Sequence, residues 1–437
     1  MRYRKRWALL VVAIALGASA CSESMEQGSE STGSPTTVSA AVADCTTAAS
    51  VVECAPKGSM LDGLMPSTPQ RATGKPILLG SINQDTGTAG AFPELTTALK
   101  AAVDFINAEL NGVDGRPIEL VTCNTNFSPD LSQSCAQEMV SKKVAAVLGG
   151  IDIWGTGITT LQNNNIPLVG GIPVSFDSAR SPISFQFSGG TWGAALGMGQ
   201  YAIEELNAKK IAMIYAEFGP ITDSAKLGKA AMENHGAEVT MVSVAAVNAD
   251  MVQALNTAAQ AKPDVVLALT ADSGCKPTML TAKQIGLTVP IMYTGACAAP
   301  KIIDSVDGAA EGAIFNLEAD LDTKSPDNVL YRAVADRYGA KYKYDWQSAG
   351  TVSFRGAINL YAVLRELGAD NVTPAAILAA FRKASDRPSF FGHPYTCDGE
   401  QLDGYPAMCS PQQTLGTLKD GAIAPLSDWI DVNAFAR

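Results

Sequence analysis

Lys209-Lys-Ile-Ala-Met-Ile-Tyr-Ala-Glu-Phe-Gly219, Pro263-Asp-Val-Val-Leu-Ala-Leu-Thr270 and Val289-Pro-Ile-Met-Tyr-Thr-Gly295 are apolar runs within one stretch of a 437-residue chain. Segments of helical spacing follow or separate them: Gly219 to Asn234, Ala249 to Ala261, and Thr278 to Ile285. Val239 to Val244 alternates as a further strand. Short, continuously apolar strands belong to parallel sheets buried on both faces. Parallel neighbours need long crossovers, and the intervening helices supply them. The ligand crevice of such a sheet lies past the carboxyl ends of its strands. Those ends are the loops Ala216–Gly219, Thr270–Ser273 and Thr294–Ala296, which are expected to touch whatever the protein binds.

The same alternation precedes this stretch. Pro76 to Ile82 reads as a strand, Pro93 to Leu110 as a helix with Leu95, Leu99, Ala102, Val103 and Ile106 on one face, and Ile118 to Thr122 as the next strand. Pro129 to Lys142, Val144 to Leu148, Thr156 to Asn163 and Pro167 to Val169 continue it, and Ser184 to Phe187 closes this part.

Length allows two or three domains. The net charge of −11, from 32 basic and 43 acidic residues, has no basic cluster beyond the N-terminus and argues against nucleic acid as a partner. Arg2, Arg4, Lys5 and Arg6 precede the apolar run Trp7 to Leu16, which is too short to span a bilayer. Residues 1–20 therefore read as a signal peptide. Ala18-Ser19-Ala20-Cys21 resembles a bacterial lipobox with Ala18 where Leu is usual, and predicts a lipid anchor on Cys21; an ordinary Ala-x-Ala cleavage site is the alternative. The polar stretch Ser22 to Ser39 is expected to be disordered. Residues 21–74 together read as a lipidated flexible tether and extension.

Without Cys21, eight of the nine cysteines remain, an even number in an exported chain. They fall into neighbouring couples, Cys45/Cys54, Cys123/Cys135, Cys275/Cys297 and Cys397/Cys409, and proximity pairs them as disulfides suited to an oxidising compartment. Metal ligation fits poorly: there is no CxxC, and of the two histidines, His235 and His393, only the latter lies near a couple, at Cys397. No metal or cofactor is expected.

Asn111-Gly-Val-Asp-Gly-Arg-Pro117 running into Ile118-Glu-Leu-Val121, Val147-Leu-Gly-Gly150 leading to Asn165-Ile-Pro-Leu-Val169, and Gly356-Ala-Ile-Asn-Leu-Tyr-Ala-Val-Leu364 within a helix Trp346 to Leu367 resemble the leucine/isoleucine/valine-binding class of extracellular solute-binding proteins. The resemblance covers about residues 75–435. It implies the type I periplasmic binding protein architecture, an α/β fold of two Rossmann-like βα lobes joined by a three-segment hinge. Lobe one would be 75–188 with 318–386, and lobe two 189–317 with 387–437. It further implies capture of a small-molecule ligand by hinge closure and delivery to ABC permease subunits, from a bilayer anchor at Cys21 on the extracytoplasmic face of the cell membrane. A sensor subunit that passes closure to a signalling partner is the alternative; an exported α/β oxidoreductase is a more distant one.

The resemblance also points to ligand residues. In the first lobe these are Gln84, Asp85 and Thr86, then Asp152 and Trp154, then Val174 and Ser175. In the second they are Phe218, Asp272 and Gly295, with Trp346 from the late helix. Amino-acid binders of the class hold the α-carboxylate with hydroxyls and amides after the strands that correspond to Val144–Leu148 and Pro167–Val169. Here those sites carry Asp152-Ile153 and Val174. The acid that grips an ammonium would fall near Gly295-Ala296, which has no carboxylate; Asp272 could replace it or could simply cap its helix. Trp154, Trp192, Phe218 and Trp346 could instead line an aromatic pocket for a less polar solute.

Enzyme motifs are weak. Gly197-Met-Gly199-Gln-Tyr-Ala202 matches GxGxxA but sits inside the helical run Thr191 to Glu205, where backbone amides are already bonded. No GxSxG elbow or Walker A loop is present. The chain reads as a binding protein, not an enzyme.

Overall fold

The computed structural model describes residues 45, 48–88 and 90–437. The expectations for the signal peptide, Cys21 and the polar tether lie outside the described residues. Among the described residues there are fourteen strands: β1 (Ile77–Asn83), β2 (Ile118–Asn124), β3 (Val147–Gly149), β4 (Leu168–Val169), β5 (Ser184–Phe185), β6 (Lys210–Glu217), β7 (Glu238–Ala245), β8 (Val265–Leu269), β9 (Ile291–Tyr293), β10 (Ile314–Leu317), β11 (Arg387–Ser389), β12 (Gly392–Tyr395), β13 (Thr414–Lys419) and β14 (Ala422–Pro425).

They build two lobes. In the first, β2-β1-β3-β4-β5 form a wholly parallel sheet. In the second, the order is β14-β13-β10-β9-β8-β6-β7, parallel from β10 to β7 and antiparallel at the β13–β14 edge. The deciding stretch of sequence is the parallel part of this second sheet. Every residue of β8 is buried, as an all-apolar strand between two helical layers requires.

Helix Gly350–Leu367 packs against helix Pro93–Glu109 and covers β3. Gly170 and Gly356 let its backbone come close: a Cβ on Gly170 would meet the Gly356 Cα at 3.0 Å. The helix begins at Gly350 rather than at Trp346, because Asp345 and Ser348 organise a turn instead: the Asp345 carboxylate accepts from the Gln347 N–H, and Ser348 Oγ from the Gly350 N–H. Helix Asp272–Gln284 begins well before Thr278 and contains Pro277, so the proline does not mark its start. The GxGxxA match lies inside helix Gly190–Glu204. A Cβ on Gly197 would strike the Gln413 side chain at 2.8 Å, and one on Gly199 would strike Met232 at 2.9 Å, so these glycines serve packing.

The extension before β1 docks on the first lobe. Val51 and Leu61 enter its core, and the buried Glu109 carboxylate accepts from the Val51 and Val52 N–H groups. The four cysteine couples Cys45–Cys54, Cys123–Cys135, Cys275–Cys297 and Cys397–Cys409 are disulfide-bonded.

The chain passes between lobes near Phe187–Gly189, near Glu318–Asp320 and between Cys397 and Gln413, where Leu402, Tyr405 and Met408 already pack in the second lobe's core, so the second lobe does not resume at residue 387. Phe390, Phe391 and Tyr395 are buried in the first lobe's core, which holds the β11–β12 hairpin there. One ion pair ties the three crossings. Arg355, in helix Gly350–Leu367, donates to the carbonyls of Phe187 and Glu318. Its guanidinium lies 3.8 Å from the Glu318 carboxylate, with side-chain exposures of 2% and 9%. Glu318 in turn accepts from the Gly189 N–H and from Gln413 Nε2, and Gln413 Oε1 accepts from Asn316 Nδ2. Burial lowers the Arg355 pKa to about 10, against the opposing pull of Glu318.

Breaking a buried pair from one side strands the other charge, at a cost of about 3–5 kcal/mol. Arg355→Met is expected to lose that much stability in urea titration. Adding Glu318→Gln, which removes the stranded charge and keeps the acceptor, should restore much of it. A loss under about 1 kcal/mol would show that the pair does not anchor the crossings.

Candidate functional site

The carboxyl ends of both sheets face each other across a cavity of about 580 Å³. That volume suits a small organic molecule. The first lobe supplies Phe92, from the N-terminus of helix Pro93–Glu109, and two pairs of apolar residues on the loops after β3 and β4: Ile151 with Ile153, and Ile172 with Val174. Phe92, Ile151 and Val174 form a small apolar cluster with Leu95, separate from the main cores and turned to the cleft. The second lobe supplies Thr191, Ile221, Leu269–Ala271 and Thr294–Ala296. The crossing Leu317–Leu321, Tyr331 and Trp346–Ala349 also line it, as does Asp304.

Of the anticipated ligand residues, the cavity collects Val174, Gly295 and Trp346. The Gly295 N–H donates to Asn316 Oδ1, and a Cβ there would meet the Asn316 carbonyl at 2.7 Å. Trp346 lines the chamber, with the Arg332 guanidinium 4.8 Å from its ring centroid.

The others are placed elsewhere. Gln84 is fully buried and its Nε2 donates to the Gly90 carbonyl. Asp85 accepts from Asn83 Nδ2 and Thr96 Oγ1, and Thr86 exchanges hydrogen bonds with Asn124 and Asn126. The polar side chains of this loop largely bind one another. Asp152 turns into the first lobe and accepts from Ser132 Oγ at 2.6 Å; burial raises its pKa. Ser175 caps helix Phe176–Arg180 in a reciprocal bond with Ser178. Trp192 is buried in the second lobe and donates to Asp223 at 3.0 Å, so it does not face the cleft.

Trp154 and Phe218 meet edge-to-face across the mouth, with ring centroids 5.3 Å apart. They join the lobes rather than line the chamber. A second close approach stands at Asp272, which lies near the Ser273 N–H of its own helix and the Ala91 N–H of the opposite lobe; a Cβ on Gly90 of that lobe would meet its Oδ1 at 2.9 Å. The Cys275–Cys297 disulfide ties this helix start to the loop after β9, so the rim is held from both strands.

The apolar residues Phe92, Ile151 and Ile172 carry no ligand role in the sequence reading, whereas the Thr270 loop and Ile153 do. Their signal was present: Ile151 and Ile153 alternate in a loop where a hydroxyl-rich segment would hold a carboxylate, and Ile172 and Val174 repeat the pattern.

A model described as periplasmic binding protein matches residues 76–410. The chain belongs to that family. Solved structures agree in fold. A leucine binding protein from Thermotoga maritima superposes with a TM-score of 0.65 at 16% identity, covering 80% of this chain and 98% of that one. A Streptococcus pneumoniae branched-chain amino acid substrate-binding protein in complex with isoleucine gives 0.65 at 18%, covering 82% and 99%. A Rhodopseudomonas palustris solute-binding protein in complex with 3,4-dihydroxybenzoic acid gives 0.65 at 18%, covering 82% and 98%. No curated protein matches the chain. The family assignment accounts for the two lobes, their hinge and the cavity between them.

Burial raises the Asp272 pKa, with Lys301 and the two N–H donors opposing. Burial also raises Glu94, on the facing helix; Asp272 and Asp85 add to the rise, while its own backbone N–H and Lys301 oppose it. Protonation of these two groups therefore favours the folded state of this binding protein. The stabilisation is complete below the ordinary values of 3.8 and 4.5 and is lost as pH climbs through the raised folded ones. Asp272→Asn, which stays neutral, is expected to gain thermal stability relative to wild type from about pH 4 to about pH 7. A difference that stays flat over that range would show that the carboxyl is not held in an unfavourable site.

Proposed function

We propose that the chain is the extracytoplasmic, lipid-anchored solute receptor of an ABC importer, and that it captures a small, largely apolar solute between its lobes. The observation that carries this reading is the interlobe cavity of about 580 Å³, built from the strand ends of both lobes and lined more by apolar residues (Ile, Val, Leu, Phe, Trp and Ala) than by polar ones. Closure over it needs only rotation about the three crossings near Phe187, Glu318 and Ser410. A closed receptor presents both lobes to a membrane permease, and an anchor at Cys21 keeps it beside that partner.

Branched-chain amino acids are not the expected cargo. A zwitterion needs donors for its carboxylate and an acceptor for its ammonium, and leaving either bare in a closed cleft costs several kcal/mol, roughly a thousandfold in affinity. At the places where the family's amino-acid binders supply hydroxyl donors, this chain presents Ile153 and Val174, and Asp152 is already engaged by Ser132. Calorimetry with leucine, isoleucine and valine is therefore expected to give dissociation constants weaker than about 1 mM. Micromolar binding would overturn this choice of cargo. A thermal-shift screen of amides, aromatic compounds and other weakly polar solutes should yield a ligand; at a hundredfold excess over its dissociation constant it adds about 2.7 kcal/mol of stability.

Anchoring is tested separately. The Cys21→Ser chain is expected in the soluble exported fraction, without fatty-acid label. Retention in the membrane fraction would remove the lipid-anchor assignment.

A further inference from the structure

We infer that the solute carries a cationic group, an ammonium on an apolar body, and no carboxylate; this rests on the receptor function proposed above. The first observation is the charge of the wall. The residues lining the cavity include Asp304, Glu318 and Asp320 and no Lys, Arg or His. Glu318 is neutralised by Arg355. Asp304 and Asp320 have no ion-pair partner among the described residues. The nearby cations are otherwise engaged: Lys301 lies in the field of Glu94 and Asp272, and Arg332 stacks on Trp346.

The second observation concerns helix N-termini, where a solute's carboxylate would ordinarily be held by free amides and the positive end of the dipole. Three of the helices that begin at this cleft carry a carboxylate of the protein at their start. Glu94 and Asp272 stand in the first turns of helices Pro93–Glu109 and Asp272–Gln284. Glu318 accepts from Gly189 at the start of helix Gly190–Glu204. An anionic solute entering the chamber meets these carboxylates beside the unpaired Asp304 and Asp320.

Third, Thr270 is 6% exposed, lines the chamber, and its Oγ1 has no hydrogen-bond partner. Thr191 Oγ1, also on the lining, is likewise unpartnered. Hydroxyl oxygens accept from an ammonium without repelling it. The apolar body then rests on Phe92, Ile151, Ile153, Ile172 and Val174.

The test is calorimetry of the full mature chain with matched triplets on one skeleton: 3-phenylpropylamine, 3-phenylpropanamide and 3-phenylpropanoate, and the corresponding hexyl series. The amine is expected to bind at least about tenfold more tightly than the amide, with the carboxylate weakest. Asp304→Asn with Asp320→Asn should bring the amine-to-amide ratio toward one. Tightest binding by the amide or the carboxylate overturns the cationic assignment and leaves the receptor reading in place. The assignment also falls if no amine binds while a neutral or anionic solute from the thermal-shift screen does. If solutes of every charge fail to shift the melting temperature, both readings fall.

Discussion

The two lobes share no strand, so their relation depends on what holds three separate crossings at one place. That is the Arg355–Glu318 pair. An isolated buried guanidinium is costly, and here its N–H groups are aimed at two main-chain carbonyls and a carboxylate drawn from two of the crossings. Glu318 passes the connection to Gly189 and Gln413, which brings in the third. A hinge built in this way can bend about its main chain while the polar knot keeps the segments in register. Glu318 faces Arg355 through Oε2 and occupies the start of helix Gly190–Glu204 through Oε1, so hinge integrity and the chemistry of the cavity wall are coupled through one side chain.

Much of this fold was legible in the sequence. The parallel sheet around β6, β8 and β9 is written in five- to eight-residue apolar runs separated by helical spacing, a local signal that tertiary context reinforces. The crossings were harder to place. Residues 387–395 carry little periodicity, and what holds them in the first lobe is the long-range burial of Phe390, Phe391 and Tyr395. Helix Asp272–Gln284 starts six residues before the helical spacing from Thr278 indicates, and Pro277 sits in its interior.

The site was legible as a set of loops and not as a set of side chains. The loops after β3, β4, β8 and β9 all reach the cavity. Which way each residue points depends on single hydrogen bonds that spacing does not encode. Asp152 turns inward because Ser132 lies in helix Pro129–Lys142 beneath it. Ser175 is consumed as a cap, leaving its neighbour Val174 to face the chamber. Trp154 and Phe218 spend their faces on each other at the mouth.

Separating fold from cargo in this way has a simple physical basis. The lobes are specified by buried strands and by glycines such as Gly170 and Gly356, none of which depends on the solute. Recognition rests on a few loop positions and on whether the helix starts are free. In this protein Glu94, Asp272 and Glu318 act on their own helices as internal anions, satisfying dipoles that would otherwise attract a carboxylate. Asp272, at one of these helix starts, also faces the opposite lobe across the mouth, where a Cβ on Gly90 would meet its Oδ1 at 2.9 Å. Its raised pKa records the cost of burial, since the charged form has lost water on the side where the lobes meet. A cationic solute nearby would ease that cost, and an anionic one would deepen it. Closure and charge selection are thus two consequences of where the chain places its own carboxylates.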